Sequence, residues 1–363
     1  MAGKSRNSRL ALPLTTSPME AKLVSELPNY PGWQFEPKWD GFRCLAFRNG
    51  ENVELRAKSG KSLSRFFPEM VEALASLPVK RFVIDGELII PVGQTSSFEA
   101  LQMRLHPAAS RIKKLSEQTP AVLVLFDLLV DDGNRKLIEE PLSARREALE
   151  KFYSSVGSSS HLRLSPYTRS RREAEQWLAR VGGGLDGVVA KQLDSPYQSG
   201  ERAMLKVKRI RTADCVVGGF RYESDSKQVG SLLLGLYNEE GNLDHVGFTS
   251  SIANADRKNL TLRLEKLIKS PGFTGNAPGG PSRWSTERST QWEPLATKLV
   301  VEVQYDHVSN NRFRHGTKLV RFRPDKSPKQ CTFEQLDAPT RPSKVIRQTI
   351  GNRPVAGERR ISH

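Results

Sequence analysis

Lys38-Trp39-Asp40-Gly41-Phe42-Arg43 is the stretch of this chain that decides its fold. It follows residues 33–36, which predict a strand that delivers the lysine into a cleft. Four further blocks follow in order, each at the end of an apolar, β-branched run. They are Asp85-Gly86-Glu87, Phe126-Asp127-Leu128-Leu129, Asp186-Gly187-Val188-Val189-Ala190-Lys191 and Met204-Leu205-Lys206-Val207-Lys208. One short pattern arises easily by chance, but five in a fixed order indicate a common chemical purpose.

Length and cysteine content limit the class of protein. The 363 residues, 37% of them hydrophobic, provide for two domains with real cores. No apolar run approaches the ~18–20 residues of a membrane span, so no membrane partner is expected. Cys44, Cys215 and Cys331 lie far apart without a C-x-x-C pair. This spacing excludes a four-thiolate zinc site and gives no disulfide framework, so it favours a reducing cytosol.

The charge distribution points to a polyanionic partner. The net charge is +16. Residues 312–329 contain seven basic residues and one acidic residue, Asp325. The basic residues of this segment are Arg312, Arg314, Lys318, Arg321, Arg323, Lys326 and Lys329. Because they alternate with apolar residues, we expect them to share one face of a strand. Such a stripe would bind a phosphate backbone without regard to sequence, and Arg312, Arg314, Lys318 and Arg321 are its predicted DNA contacts.

The order of the predicted elements divides the chain into two domains. In residues 19–209, helices alternate with strands, which predicts an α+β domain with antiparallel sheets. A hairpin at residues 44–56 is expected to turn at Asn49-Gly50 in a type I′ turn. Residues 210–338 read as five short strands and one helix, which predicts an all-β OB-fold barrel. The basic segments 1–18 and 339–363 are predicted to be a flexible and a disordered tail.

Over about residues 20–335, the ordered blocks resemble the covalent nucleotidyltransferase superfamily of ATP-dependent DNA ligases, RNA ligases and mRNA capping enzymes. Residues 36–43, 104–110 and 231–235 resemble more closely the bacterial ATP-dependent DNA ligases of the ligase C group, related to the ligase module of ligase D. The resemblance implies an adenylation domain followed by an OB domain.

The activity implied is the sealing of 5′-phosphate/3′-hydroxyl nicks in duplex DNA, with ATP as substrate and Mg²⁺ or Mn²⁺ as metal. It also implies a monomer acting in DNA repair, replication or recombination. Separate repair polymerases or end-processing proteins are expected as partners.

The first block carries the reaction in this interpretation. Lys38 attacks the α-phosphate of ATP and holds AMP as a phosphoramidate. Glu36 is placed to accept a hydrogen bond from the adenine amino group. Arg43 suits a ribose or a phosphate, because its guanidinium presents a fixed fork of donors.

The later blocks complete the predicted nucleotide site. Glu87 is expected to meet the ribose or to support metal binding, and Phe126, which core packing would also explain, stacks on the adenine in the resembling family. Lys206 and Lys208 alternate along a strand, so both ammonium groups should leave it on one face and contact the α-phosphate. Asp186 is the second predicted metal ligand.

Three positions call for comment against the resembling family. Asp186 stands where most of these ligases have glutamate, and it remains a hard oxygen ligand for a metal. Lys58 replaces an arginine, which keeps the charge for a phosphate but loses the bidentate fork. Residues 321–326 resemble the motif that binds the leaving pyrophosphate, and this resemblance assigns that role to Arg323 and Lys326.

Two alternatives remain at this level. An RNA ligase or mRNA-capping-type enzyme would share the Lys38 chemistry, and capping would be revealed by a preference for GTP over ATP. The non-enzymatic alternative is an OB-type nucleic-acid-binding protein that has lost catalysis. The residues present in the five blocks favour the enzyme.

Overall fold

The computed structural model describes residues 9–157, 159–182, 184–279, 291–336 and 344–350. These residues form two compact units. The first unit runs to Arg209 and includes residues 344–350, and the second begins at Ile210. Within the described ranges, no helix has the length and apolar character needed to cross a membrane.

The elements of both units are as follows. The strands of the first unit are β1 (Ala21–Leu23), β2 (Trp33–Trp39), β3 (Phe42–Asn49), β4 (Asn52–Ala57), β5 (Arg81–Ile89), β6 (Pro91–Val92), β7 (Thr95–Ser96), β8 (Val122–Val130), β9 (Leu162–Leu164), β10 (Leu185–Gln192) and β11 (Met204–Val207). Those of the second unit are β12 (Arg211–Tyr222), β13 (Val229–Tyr237), β14 (Leu243–Thr249), β15 (Glu293–Pro294), β16 (Val300–Tyr305), β17 (Val308–Ser309), β18 (Arg312–Phe313) and β19 (Lys318–Phe322). The helices are α1 (Pro68–Ala75), α2 (Phe98–Arg104), α3 (Ala109–Gln118), α4 (Leu142–Ser155), α5 (Arg171–Ala179), α6 (Asn254–Glu265) and α7 (Lys344–Ile350).

Two main sheets form the first unit. One has the order β4-β3-β5-β8-β9 and the other the order β1-β11-β10-β2. Most neighbours are antiparallel, as predicted, but β1 runs parallel to β11 and β9 runs parallel to β8. The prediction of antiparallel sheets was therefore wrong for these two pairs. Both involve three-residue strands that the sequence pattern did not reveal, and α4 supplies the long crossover that a parallel β8–β9 pair needs.

The predicted hairpin is present, but its turn is shifted by one residue. Asn49 pairs with Asn52, so the two central residues are Gly50 and Glu51. Gly50 has φ +65°, and glycine at the first central position is typical of a type II′ turn. The type I′ turn predicted at Asn49-Gly50 was wrong, because Asn49 continues the strand.

The second unit is built on an antiparallel sheet in the order β14-β13-β12-β16-β19, with β15 also paired to β12. Its buried side chains, among them Phe220, Leu234 and Val301, form one core. Among the described residues, β14 and β19 share no ladder, and one bridge joins Thr249 to Thr317. The strands and the helix α6 are consistent with an OB fold, but the barrel predicted from the sequence is not closed.

Parts of both predicted tails are folded. Leu12 is buried in a core cluster, and the amide of Ala11 donates a hydrogen bond to Asn134. At the other end, α7 buries Val345 and Ile346 in the core around β2 and β10. The predicted flexible segment to residue 18 and the predicted disordered segment from residue 339 are therefore partly folded, and both predictions were wrong for residues 11–12 and 344–350. The reason is that the apolar side chains within these basic segments are buried against the core. Residues 1–8, 339–343 and 351–363 of the two tails lie outside the described ranges.

Candidate active site

A pocket in the first unit gathers most of the predicted nucleotide-binding residues. It encloses about 820 Å³ including its open mouth. Gln34, Glu36 and Lys38 alternate along β2, and period-2 geometry puts them on the same side of the sheet. The predicted site residues that line the pocket are Glu36, Lys38, Arg43, Lys58, Glu87, Phe126 and Lys206.

Lys38 is held by a carboxylate on the neighbouring strand. Its Nζ lies 2.6 Å from Asp186 Oδ2, and Lys208 Nζ lies 3.1 Å from the same oxygen. Burial raises the pKa of Asp186, but Lys38 and Lys208 outweigh it and hold the pKa below its usual value. Asp186 is therefore an ionised carboxylate between two ammonium groups.

A glycine makes this arrangement possible. Lys38 pairs with Gly187, and the register shifts between Leu185 and Gly187, so that Asp186 lies at an irregularity of the ladder. Gly187 has φ +148°, and a Cβ on it would lie 2.1 Å from the carbonyl oxygen of Val207. The backbone can take this form only without a side chain.

The other lysines add positive charge around Lys38. Lys206 pairs with Val189 across the β10–β11 ladder and lines the pocket. Burial lowers the pKa of Lys206, and the charges of Lys38 and Lys208 lower it further. Lys58 is mostly exposed and forms an ion pair of 2.8 Å with Glu20. A ligand that enters this cleft therefore meets a positive field, which suits an anion such as a triphosphate.

Arg43 is anchored by a carboxylate that the sequence interpretation left without a role. Its Nε and Nη2 each donate to Asp85 at 2.5 Å. Asp85 is fully buried and also accepts a hydrogen bond of 2.5 Å from the hydroxyl of Tyr197. Burial alone would lower the pKa of Arg43, but Asp85 raises it above its ordinary value. The guanidinium therefore stays charged, with its position fixed by a two-point contact.

Glu87 has a different environment from Asp186. It lies opposite Arg43 in the β3–β5 ladder. Burial raises the pKa of Glu87 to about 7, although the charges of Lys38 and Arg43 lower it. The carboxyl group of Glu87 therefore gains or loses its proton near neutral pH. A cation bound beside it would stabilise the charged form.

Phe126 lies among cations at the wall of the pocket. Its ring centroid is 4.5 Å from the guanidinium carbon of Arg43 and 4.7 Å from Lys191 Nζ. The residue is 8% exposed. Phe126 thus lines the pocket as predicted, and it also packs in the core, which the alternative interpretation expected.

The predicted pyrophosphate and DNA residues belong to the second unit. Arg323 and Lys326 both contact Asp214, at 2.9 Å and 3.1 Å, and Arg323 also pairs with Asp325. On β19, Leu319 lies opposite Val303 and Arg321 opposite Glu302, so Val320 is an extra residue at a bulge.

The bulge at Val320 shows that the predicted regular alternation of basic and apolar residues along this strand was wrong. Lys318 and Arg321 are three residues apart and would lie on opposite faces of a regular strand. Because Val320 interrupts the pattern, Lys318 lies opposite Gln304 and Arg321 opposite Glu302, which puts both on the same face. Arg312 and Arg314 are on or beside β18, where Arg312 Nη2 contacts His245 Nδ1 at 3.0 Å.

Several pocket residues were missed by the sequence interpretation. They are Pro18, Met19, Glu20, Ala21, Lys191 and Met204. The first four fall at the boundary of the predicted tail, and only the apolar Met19 signalled that the segment is packed. Lys191 ends one of the five quoted blocks, and its position at the end of an apolar run was a usable signal.

No metal site is built by the protein alone in the described ranges, since no group of three or more His, Cys, Asp or Glu side chains comes together there. Magnesium commonly uses one or two carboxylates together with substrate phosphates and water. Glu87 at the pocket and Asp186 beside Lys38 fit that pattern. The donor set therefore suits a metal that arrives with a polyphosphate.

Comparison with known proteins places these observations in a family. The ATP dependent DNA ligase domain matches residues 18–208, and the ATP dependent DNA ligase C terminal region matches residues 225–326. DNA ligase C2 of Mycolicibacterium smegmatis is 44% identical over 346 residues, covering 91% of this chain and 96% of that protein. DNA ligase C of Mycobacterium tuberculosis is 40% identical over 339 residues, covering 89% of this chain and 94% of that protein.

A structural comparison agrees on the fold. A structure from an analysis of Lig E DNA ligases gives a TM-score of 0.54 at 18% identity, covering 84% of this chain and 99% of that one. At this identity the likeness shows the fold alone. The domain matches and the high coverage of the ligase C relatives carry the assignment, and this chain belongs to the family of ATP-dependent DNA ligases.

Proposed function

We propose that this ligase seals 5′-phosphate/3′-hydroxyl nicks in duplex DNA through an AMP adduct on Lys38. The observation that supports the proposal most is the position of Lys38. Its side chain is 24% exposed and lines the pocket, and its ammonium lies 2.6 Å from an ionised carboxylate with further lysines around it. A lysine kept accessible beside an anion-binding field suits attack on a phosphate.

Three displacements at phosphorus make up the reaction. Lys38 Nζ, after losing a proton, attacks the α-phosphorus of ATP, a P–N bond forms, and pyrophosphate leaves. The 5′-phosphate of the nick then attacks the same phosphorus, so that AMP moves to the DNA and Lys38 is released. The 3′-hydroxyl finally attacks the 5′-phosphate, forms the phosphodiester and expels AMP.

The pocket residues divide this work. Lys206 and Lys208 stabilise charge on the α-phosphate, and the anchored Arg43 binds the ribose or a phosphate. Glu36 accepts a hydrogen bond from the adenine amino group, Phe126 contacts the base, and Lys58 retains a charge for a phosphate. Catalysis of this kind depends on positioning and on cationic stabilisation.

A divalent metal, Mg²⁺ or Mn²⁺, would be held by Asp186 and Glu87 together with the triphosphate, and it would neutralise phosphate charge. Asp186 has a further role of its own, since it fixes the direction of the Lys38 amine. In the second unit, Arg323 and Lys326 are proposed to bind the leaving pyrophosphate. Arg312, Arg314, Lys318 and Arg321 are proposed to contact DNA phosphates.

The cellular setting is also part of the proposal. The DNA ligase relatives and the +16 net charge support action on DNA. The proposed substrate is nicked duplex DNA, and the proposed setting is repair, with replication and recombination as further settings. Separate polymerases or end-processing proteins would prepare the nick, and the ligase would act as a monomer. The three cysteines are free and buried, which suits the reducing bacterial cytosol.

The decisive experiment compares the protein with its Lys38→Ala variant after incubation with ATP and Mg²⁺. Intact-mass measurement should show one AMP added to the wild type and none to the variant. Chase with nicked DNA, nicked RNA and mixed duplexes should then transfer AMP to the DNA nick. An adduct on the variant would remove Lys38 from the mechanism, whereas adduct formation with GTP would favour a capping enzyme and sealing of RNA alone an RNA ligase.

A further inference from the structure

We propose that Lys191 is a positioning residue that fixes Glu36 for recognition of the adenine amino group. This inference rests on the proposed function and assigns a role to a lysine that the reaction scheme leaves unused. Lys191 pairs with Gln34 across the β10–β2 ladder, one step along the same face from Glu36. Its side chain lines the nucleotide pocket.

The carboxylate of Glu36 is held at both of its oxygens. Lys191 Nζ lies 2.8 Å from Oε2, and Gln34 Nε2 donates to Oε1 at 2.8 Å. The Lys191 and Glu36 side chains are 5% and 3% exposed. Two different donors therefore fix the plane of a carboxylate that water hardly reaches.

Stability gives little reason to keep such a pair. A buried ion pair can often be replaced by apolar residues without loss of stability, because desolvation offsets its attraction. Val188 and Ala190 pack in the apolar cluster on the opposite face of the sheet, whereas Lys191 and Glu36 lie on the face that lines the pocket. The pair is better explained by its effect on the pocket, where it holds the Glu36 carboxylate in one orientation.

Lys191 also connects the base-reading carboxylate to the aromatic ring. Its Nζ lies 3.3 Å from the carbonyl oxygen of Phe126 and 4.7 Å from the ring centroid. One ammonium thus contacts both residues that are proposed to meet the base. Removing it would release the carboxylate and the ring together.

The chemistry of this arrangement predicts base selectivity. Each carboxylate oxygen has a second lone pair, so Glu36 can accept from a 6-amino group while Lys191 and Gln34 hold it. A 6-oxo group would place an acceptor against a carboxylate, and a purine without a 6-substituent would leave the carboxylate without that donor. A carboxylate held in one place distinguishes these bases better than one free to turn.

The test measures lysyl-AMP formation with ATP and with purine riboside triphosphate, which lacks the 6-amino group. We expect the wild type to prefer ATP by about 10- to 100-fold in kcat/KM, the range for a hydrogen bond to a charged group. Lys191→Met should reduce that preference to about threefold or less, mainly through KM for ATP. Lys191→Arg should keep most of it, and Lys22→Met, on β1 of the same sheet, should behave as the wild type.

The outcomes separate this inference from the proposed function. A Lys191→Met variant that is folded and keeps the wild-type preference, with kcat lowered equally for both substrates, would show a purely structural lysine and overturn the inference. If Lys191→Met does not fold, Lys191→Ala supplies the test, because it also removes the donor to Glu36 and leaves room for water, and an unreduced preference would again overturn the inference. Failure of the wild type to form any adduct with ATP would instead refute the proposed function.

Discussion

Asp186 is a single carboxylate shared by two ammonium groups, and its role follows from that geometry. Lys38 and Lys208 lie within 3.1 Å of the same oxygen. A neutral amide at this position would still accept a hydrogen bond but would lose the charge that stabilises the pair and attracts a metal. The effect should appear in the chemical step rather than in nucleotide binding.

We therefore expect Asp186→Asn to slow single-turnover formation of the lysyl-AMP adduct by about 10²- to 10³-fold, while ATP affinity changes by less than about tenfold. Rapid-quench measurement of adduct formation and equilibrium titration with ATP would give the two quantities. Lys22→Met, at an exposed position outside the pocket lining, is the matched control. Weakened ATP binding with an unchanged rate would place Asp186 outside the reaction centre.

At the scale of elements, Arg48 on β3 terminates the helix α1. Its guanidinium donates to the carbonyl oxygens of Leu74 and Ala75 in the last turn of α1 and of Leu77 and Val79 just beyond it, and Arg48 is fully buried. The last carbonyl groups of a helix lack amide partners in a following turn, so a cation with several donors satisfies carbonyls at this end and complements the helix dipole.

We expect Arg48→Met to destabilise the protein by about 3–5 kcal/mol, because it leaves several buried carbonyl groups without donors. Urea unfolding of the variant against the wild type would measure the change. Lys80→Met removes an exposed charge from the same region and should alter stability by less than ~0.5 kcal/mol. Equal effects of the two substitutions would show that Arg48 is not required to end α1.

His245 makes the stability of the second unit dependent on pH. Burial, together with the charges of Arg312 and Arg221, lowers the pKa of His245 to about 3. Arg312 donates to Nδ1, so the folded state holds the imidazole neutral. An unfolded histidine binds a proton below a pKa of ~6.5, and this binding favours the unfolded state as pH falls.

The stabilisation is therefore complete above pH ~6.5 and should be lost at up to about 1.4 kcal/mol per pH unit as the pH falls from there towards 3. Denaturant unfolding at several pH values between 7 and 5 would measure this slope. His245→Gln should flatten it, because glutamine does not titrate. An equal slope in the variant would assign the acid sensitivity to other groups.

The sequence predicted those elements correctly that are long and have a regular hydrophobic pattern. The apolar run of β8 and the alternation of β2 were sufficient, and they delivered Phe126, Glu36 and Lys38 to the pocket. The pattern failed where tertiary contacts decide, as in the three-residue strand β1 and the bulge at Val320. Asp85 and Lys191 were visible in their motifs, but their roles emerge only from partners distant in sequence, Arg43 and Glu36.

At the scale of the whole molecule, the two units carry different parts of the proposed reaction. The pocket with Lys38 belongs to the first unit, and the basic strand β19 with its flanking residues belongs to the second. The interpretation gives the second unit two tasks. Arg323 and Lys326 serve the step with ATP, whereas Lys318 and Arg321 hold DNA, and conformational steps of this kind commonly order a reaction.

Matched double variants on this one segment separate the two tasks. Arg323→Gln with Lys326→Gln should lower adduct formation from ATP by at least about 100-fold, because the leaving pyrophosphate loses two cations. Glutamine is preferred to alanine because Asp214, which contacts both side chains, keeps a donor. The same variant should seal a nick that already carries 5′-AMP at a rate close to that of the wild type.

Lys318→Gln with Arg321→Gln should behave in the opposite way. Adduct formation should be unchanged, while binding to nicked duplex weakens and the slope of log affinity against log salt falls by about two, since two phosphate contacts are lost. Rates on ATP and on a pre-adenylated nick, with DNA affinity at several salt concentrations, would compare the variants. If both lose both activities to the same extent, the segment is one undivided DNA-binding strand, and the separate role of Arg323 and Lys326 has to be abandoned.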